Sequence, residues 1–257
     1  MTDHTQSPPV RKRFWLTMTV LVVVMGLTFW GIKWIAFARQ PLPEAVEALA
    51  SDDLVTITQE PWLSFFPAQN PAKVGFIFYP GGRIDPGGYA PLMKSIANDG
   101  YLVVVPEMPL NIAAFQPNIA DEVIAYFPSI RLWVIGGHSV GGTMAAQYTN
   151  AHRETINGLV IWASYPADNT DLSDYAQSVA SIYGSRDPRV NDKSVAERVS
   201  LLPSNTRYFR IEGGDHHQFG SYEIDPDEHH AAISRTSQQE QILQATLEIL
   251  REAAHLD

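Results

Sequence analysis

Gly137-His138-Ser139-Val140-Gly141 sets one hydroxyl between two glycines. It follows the apolar run Leu132-Trp133-Val134-Ile135 and precedes the small-residue segment Gly142-Thr143-Met144-Ala145-Ala146. The run reads as a buried strand and the segment as a helix, so the serine falls on a strand-to-helix turn. The glycines leave room for a strained turn that lifts the serine oxygen clear of the sheet. A hydroxyl so presented can attack an acyl carbon if a base takes its proton, an acid orients the base and backbone donors receive the oxyanion. The pentapeptide alone is common by chance, so the rest of the chain must supply these groups.

The acid is expected at the end of a later strand. Ile182-Tyr183-Gly184-Ser185-Arg186-Asp187-Pro188 ends one with turn residues, which makes Asp187 the candidate. An Asx-turn before Pro188 is the plain alternative for the same carboxylate. Arg210-Ile211-Glu212-Gly213-Gly214 runs into Asp215-His216-His217, where either histidine can be the base. Asp215 is too close along the chain to orient His216 and reads as a turn or cap residue, and His138 reads as packing beside the elbow. One oxyanion donor is the amide of Val140, just after the serine. The other is expected in Tyr79-Pro80-Gly81-Gly82-Arg83, with Gly82 preferred and Arg83 second.

Two further groupings have a plain reading. Glu228-His229-His230 with Asp225 and Asp227 could bind a metal, but the same residues suit a solvated helix start. No metal and no organic cofactor is expected. Phe115, Phe219 and Tyr222 could line an acyl pocket, although aromatic residues near loops more often join the core.

The elements that must hold these residues follow from hydrophobic periodicity. Strands are expected at Leu54–Thr58, Trp62–Phe66, Val74–Tyr79, Tyr101–Val105, Leu132–Gly136, Gly158–Ala163, Val179–Tyr183 and Arg207–Ile211. Helices are expected at Tyr89–Asn98, Asn118–Tyr126, Val140–Ala151, Ser194–Leu201 and Gln238–Ala254. Apolar strands alternating with helices imply an α/β fold, a mostly parallel sheet covered on both faces. Reactive groups then gather at the carboxyl ends of the strands. Tyr165–Gln177 is too short for a helical cap, so an open site is expected.

The chain has 257 residues and a net charge of −10, spread unevenly. Its first 40 residues carry a surplus of four positive charges and the remainder fourteen negative. So acidic a remainder is unsuited to binding nucleic acid through phosphates. The absence of cysteine excludes a disulfide, a thiolate metal site and a thiol nucleophile. Phe14 to Ile32 is uncharged over 19 residues, which as a helix spans about 28 Å, close to the hydrocarbon thickness of a bilayer. Trp15, Trp30 and Trp34 stand near its ends, and Arg11-Lys12-Arg13 precedes it. This predicts a single-pass anchor with a cytoplasmic N-terminus and the domain outside the cytoplasm. A cleaved signal peptide is the rival, because Ala36-Phe37-Ala38 resembles a cleavage site. The expected organisation is a cytoplasmic terminus at 1–13, an anchor at 14–38, a spacer at 39–52 and a catalytic domain at 53–257.

With these motifs in place, the chain resembles the alpha/beta-hydrolases, and within them the fold-5 branch near the dienelactone hydrolases. Tyr79-Pro80-Gly81-Gly82, Met108-Pro109-Leu110-Asn111, Gly137-His138-Ser139-Val140-Gly141-Gly142, Gly184-Ser185-Arg186-Asp187 and Gly213-Gly214-Asp215-His216-His217-Gln218-Phe219-Gly220 carry the likeness, over roughly Val55 to Leu250. The last motif in that branch is expected to run Gly-Gly-Asn-His-Ala-Gln-Phe-Gly, so Asp215 and His217 are departures. The resemblance implies His216 as the base, with Ser139 as nucleophile, Asp187 as acid and Gly82 and Val140 as oxyanion donors. It implies a serine hydrolase of carboxylic esters, acting on a small-molecule or lipid ester. An acyltransferase or peptidase using the same residues on lipid or cell-envelope substrates is the nearer rival. A non-catalytic membrane-tethered binding module is the more distant one.

Overall fold

Eight strands form one sheet in the computed structural model of the chain, which describes residues 10–36 and 38–256. They are β1 (Val55–Thr58), β2 (Leu63–Pro67), β3 (Val74–Tyr79), β4 (Leu102–Val105), β5 (Leu132–His138), β6 (Ile156–Trp162), β7 (Ser178–Gly184) and β8 (Arg207–Ile211). The order is β1-β2-β4-β3-β5-β6-β7-β8. The pairings β1–β2 and β2–β4 are antiparallel and all the others parallel. Every strand read from the sequence is present, with ends displaced by two residues at most.

Alternation along the strands serves two cores. Phe76 and Phe78 of β3 pack with Leu92 and Ile96 of α3 (Ala90–Asn98) and Ile249 and Leu250 of α7 (Arg235–Ala254). Ile77 and Tyr79 point the other way, toward Val123 of α4 (Ile119–Tyr126) and Ala145 and Tyr148 of α5 (Val140–Ala151). Covering both faces is what makes the strand sequences continuously apolar. The chain runs from β3 to β4 on one side and returns to place β5 on the other. The loops after β3 and β5 therefore border the crevice where strand order reverses, the usual place for a ligand in such sheets.

Two segments differ from the sequence expectation. Ser194–Leu201 is not one helix but α6 (Asp192–Ala196) followed by a 3-10 turn at Val199–Leu201. The Asn191 side chain accepts from the amides of Lys193 and Ser194, and this cap starts the helix earlier than the apolar pattern does. Within 39–52, expected to be a spacer, α2 (Pro43–Ala48) forms and buries Ala45 completely. Pro43 does not prevent it, because the first turn has no use for a proline N–H. Among the described residues no helix is inserted between β6 and β7.

The structure divides into a unit ending at Phe37 and a second from Ala38 onward. The first contains α1 (Val10–Ala36), whose stretch Phe14–Gly31 has a mean hydropathy of 1.8 and is nowhere buried. It is long and apolar enough to cross a bilayer, a property that signal sequences share.

Candidate active site

Ser139 lies between β5 and α5 with φ 53° and ψ −125°, in a region that L-residues enter only under constraint. The constraint comes from close backbone packing. A Cβ on Gly141 would lie 2.1 Å from the Tyr79 carbonyl oxygen, and one on Gly137 would lie 2.5 Å from the Gly141 carbonyl carbon. The Ser139 amide donates to Trp162 O (2.9 Å), and its carbonyl accepts from Gly142 (2.9 Å), which starts α5. The non-glycine residues with positive φ are Arg83, Leu110, Asn111, Ser139 and Ala163. They follow β3, β4, β5 and β6, so all the described strain of this kind sits at the carboxyl edge of the sheet. Each left-handed residue costs about 1–2 kcal/mol, and such costs gather where function constrains the backbone.

The structure brings His216 and Asp187 together at 2.7 Å, between Nδ1 and Oδ2, with both side chains buried. The other Asp187 oxygen accepts from the amides of Arg189 (2.7 Å) and Val190 (2.9 Å). The Asx-turn is therefore real, and it holds one oxygen so that the other can face His216. With Nδ1–H donating to the carboxylate, His216 keeps its basic lone pair on Nε2. The His216 ring lies 4.9 Å from that of His138, beside the elbow. Ser139 Oγ has no hydrogen-bond partner among the described residues, as is frequent at such sites before a substrate binds.

Gly82 is adjacent to Val140: a Cβ on Gly82 would come 3.2 Å from Val140 Cγ1. Both neighbouring amides are engaged, Gly81 N–H with Tyr89 Oη (3.0 Å) and Arg83 N–H with Asn111 O (2.6 Å). Among the described residues the Gly82 amide has no such acceptor, and it stands beside Val140.

His138 does more than pack. Tyr89 Oη accepts from Gly81 and gives its proton to His138 Nδ1 at 2.9 Å, because the carbonyl facing Nε2 can only accept and so keeps the ring proton on that side. His138 Nε2–H then donates to the His216 carbonyl at 3.0 Å. Burial, followed by the neighbouring His216 and His217, holds the His138 pKa well below the usual histidine range, so the ring stays neutral and keeps this tautomer. It also stacks on Phe219, 5.5 Å away and tilted 12°. Tyr89 and His138 thus tie the loop after β3 to the backbone of His216. The sequence signal for His138 was its place in the elbow; Tyr89 gave none.

Asp215 is a cap, as its position implied, but a larger one. Its Oδ1 accepts from the amides of His217 (3.0 Å) and Gln218 (2.9 Å). Its Oδ2 accepts from the amides of His230 (3.0 Å) and Ala231 (3.1 Å) and from His229 Nδ1 (3.2 Å). Burial pushes this carboxyl up, but these donors outweigh it and bring it below the usual range. An asparagine NH₂ could not accept the second set, which accounts for the departure from the Asn of the resembling branch. Among the described residues no three His, Asp or Glu side chains gather as metal ligands; His229 is spent on Asp215. His217 has no carboxylate in hydrogen-bond range. Its Nε2 lies 4.0 Å from Glu228 Oε1, and burial, followed by the charge of His216, brings its pKa down to about 4. Phe219 and Tyr222 are core residues, while Phe115 is 59% exposed.

The family model described as the alpha/beta hydrolase family matches residues 75–240. No curated protein matches the chain by sequence. Among solved structures, the chain is similar to a predicted CIB-like hydrolase from Thermoplasma acidophilum, with a TM-score of 0.56 at 18% identity over 74% of this chain and 91% of that one. It is similar to Est1E from Butyrivibrio proteoclasticus, bound to ferulic acid, with a TM-score of 0.55 at 12% identity over 73% and 94%. Esterase 2 from Thermogutta terrifontis, phosphonylated by sarin, gives 0.56 at 13% over 74% and 88%. These likenesses are of fold, and the family match spans the elbow, Asp187 and His216. The chain belongs to the alpha/beta hydrolase family.

Proposed function

We propose that this chain is a membrane-anchored serine hydrolase that cleaves carboxylic esters. The reading rests on the buried 2.7 Å pair of His216 and Asp187 held beside an elbow that strains Ser139. In the proposed reaction His216 Nε2 takes the Ser139 proton as Oγ attacks the acyl carbon. Asp187 holds the imidazole and stabilises its cation. The amides of Gly82 and Val140 receive the oxyanion, and His216 returns the proton to the departing alcohol. Water, deprotonated by His216, then releases the acid and restores Ser139. One of the similar structures is an esterase by name, which favours an ester over an amide. The residues of α1 that precede the domain supply the anchor, with Arg11-Lys12-Arg13 on the cytoplasmic side and the domain beyond the membrane.

A fluorophosphonate probe on the full-length protein tests the chemistry. Labelling is expected in the native protein and in His217→Ala, and its loss in Ser139→Ala and His216→Ala. Asp187→Asn, which misorients the imidazole, is expected to lower kcat on a p-nitrophenyl ester by about 10³–10⁴. Labelling that persists in Ser139→Ala, or that depends on His217 instead of His216, would overturn these assignments.

A further inference from the structure

Ala163 is strained to φ 42° at the end of β6, and neither the elbow nor the loop that carries Gly82 accounts for it. The chain leaves β6 there and lays Ser164 and Tyr165 on the first turn of α5. The Thr143 hydroxyl gives its proton to Tyr165 O (3.0 Å), so the Ser164 hydroxyl donates to Thr143 Oγ1 (3.0 Å). The contact is close, since a Cβ on Gly142 would come 2.7 Å from Ser164 Cβ. The Thr143 amide in turn donates to Ser139 O (3.2 Å). One residue of α5 thus joins the backbone of Ser139 to that of Tyr165.

From this fixed point the Tyr165 side chain packs against Tyr183 of β7, Val190 and, on α6, Val195. These three are buried and form a small apolar cluster apart from the two cores. Val190 belongs to the turn whose amides hold Asp187. The Arg198 guanidinium lies over the Tyr165 ring, 5.3 Å from its centre, and pairs with Asp168 at 3.0 Å. A cation so placed helps to hold an aromatic ring. Tyr165 remains half-buried, with part of its surface open at the carboxyl edge of the sheet.

The proposed reaction decides which part of a substrate would meet this ring. The acyl carbon, once bonded to Ser139 Oγ, carries three other substituents. The oxyanion goes to the amides of Gly82 and Val140, and Gly82 follows β3, on one side of β5. The departing oxygen must face His216 to be protonated. His216 belongs to the segment whose Phe219 joins the core beneath α3 and α7, the face opposite α5. The direction left for the acyl chain is toward β6, on the other side of β5, and toward α5. Tyr165 stands there.

We infer that Tyr165 determines acyl specificity: its ring closes the acyl side of the site, and the substrate is an ester of a short-chain carboxylic acid. The inference rests on the Ser139 reading proposed above and adds to it the acyl class. The bond broken joins the acyl carbon to the alcohol oxygen. Water supplies the hydroxyl of the released acid and the proton of the released alcohol.

A series of p-nitrophenyl esters from acetate to octanoate, hydrolysed by the full-length protein, tests the ring. The native protein is expected to give its highest kcat/KM with acetate or butyrate and to fall off with longer chains. Tyr165→Ala opens the space bounded by Tyr183, Val190 and Val195. The ratio of kcat/KM for hexanoate to that for acetate is expected to rise at least about tenfold, the effect that a methylene has in an apolar pocket. Tyr165→Leu keeps apolar packing and should move the ratio the same way by less, which preserves the test if the alanine variant fails to fold. Tyr165→Phe retains the ring and is expected to retain the native profile. A native preference for octanoate overturns the inference, as does a profile unchanged by alanine or leucine or displaced equally by phenylalanine. Failure of the Ser139 reading shows separately, as absent turnover of every ester together with absent fluorophosphonate labelling of the native protein, and it removes the acyl site as well.

Discussion

Tyr89 Oη stands between the Gly81 amide and His138 Nδ1, so replacing it by phenylalanine orphans two buried groups at once. Leaving a buried donor or acceptor unmade costs about 1–3 kcal/mol. A domain of this size loses roughly 2–4 °C in Tm per kcal/mol, and Tyr89→Phe is expected to melt several degrees below the native protein. Its reaction with a fluorophosphonate should also slow, because Gly81 precedes the amide assigned to the oxyanion; an unchanged Tm and labelling rate would sink this coupling. His217 gives a pH dependence of definite sign. Its pKa lies at about 4 against an ordinary 6.5, so between those values the unfolded chain binds a proton that the native one refuses. The stability it contributes is whole above pH 6.5 and is lost as pH falls toward 4, by on the order of 3 kcal/mol. Urea unfolding at pH 7.5 and 4.5 should show a smaller loss in His217→Gln than in the native protein, and equal losses would refute it. The strained turn at Ser139 and the meeting of Asp187 with His216 were legible in the sequence because each residue is flanked by its own strand end and turn. The strut was not: Tyr89 lies 49 residues before His138, and only the fold makes them neighbours. Asp215 was half legible, since its cap on Gln218 is local while its grip on His230 is not.

Elements place the two glycines of the site under different demands. Gly141 opens α5 against the end of β3, where a Cβ would meet the Tyr79 carbonyl oxygen at 2.1 Å. Gly82 faces only Val140 Cγ1, at 3.2 Å, a side-chain methyl that need give by only a few tenths of an ångström. Gly141→Ala is therefore expected to force β3 and α5 apart and to cost at least about 3 kcal/mol, at the severe end for overpacking. Gly82→Ala should fold with a Tm close to native but crowd the oxyanion position and lower kcat on a p-nitrophenyl ester. Thermal unfolding beside kinetics distinguishes them, and a native-like Tm in Gly141→Ala would contradict the packing described. The strands were readable because both faces are buried and the sequence is continuously apolar there. The pairings of residues 39–42 and α2 were not, because Pro41 and Pro43 look like helix breakers. In the fold one pairs across to Tyr222 and the other occupies a first helical turn.

At the scale of the whole molecule, the proposed topology rests on the charges that flank the uncharged stretch. Arg11, Lys12 and Arg13 flank the uncharged stretch on one side, with Lys33 and Arg39 on the other. Orientation follows the difference in nearby Lys and Arg rather than net charge, so the fourteen negative charges of the domain do not oppose its export. The bridge of Arg39 to Ile84 is indifferent to whether the helix is kept. Cleavage after Ala38 would leave the nitrogen of Arg39 as an amine that can still donate to Arg83. Retention must therefore be measured. In right-side-out membrane vesicles the native domain is expected to be digested by added protease and to stay in the membrane fraction after an alkaline wash. Neutralising Arg11, Lys12 and Arg13 with glutamine leaves Lys33 and Arg39 as the only nearby cations and should hold a substantial fraction of the domain inside, protected. A soluble native protein beginning at Arg39 would remove the anchor. Protection of the native domain from external protease would instead reverse its orientation, placing the proposed ester chemistry on the cytoplasmic side.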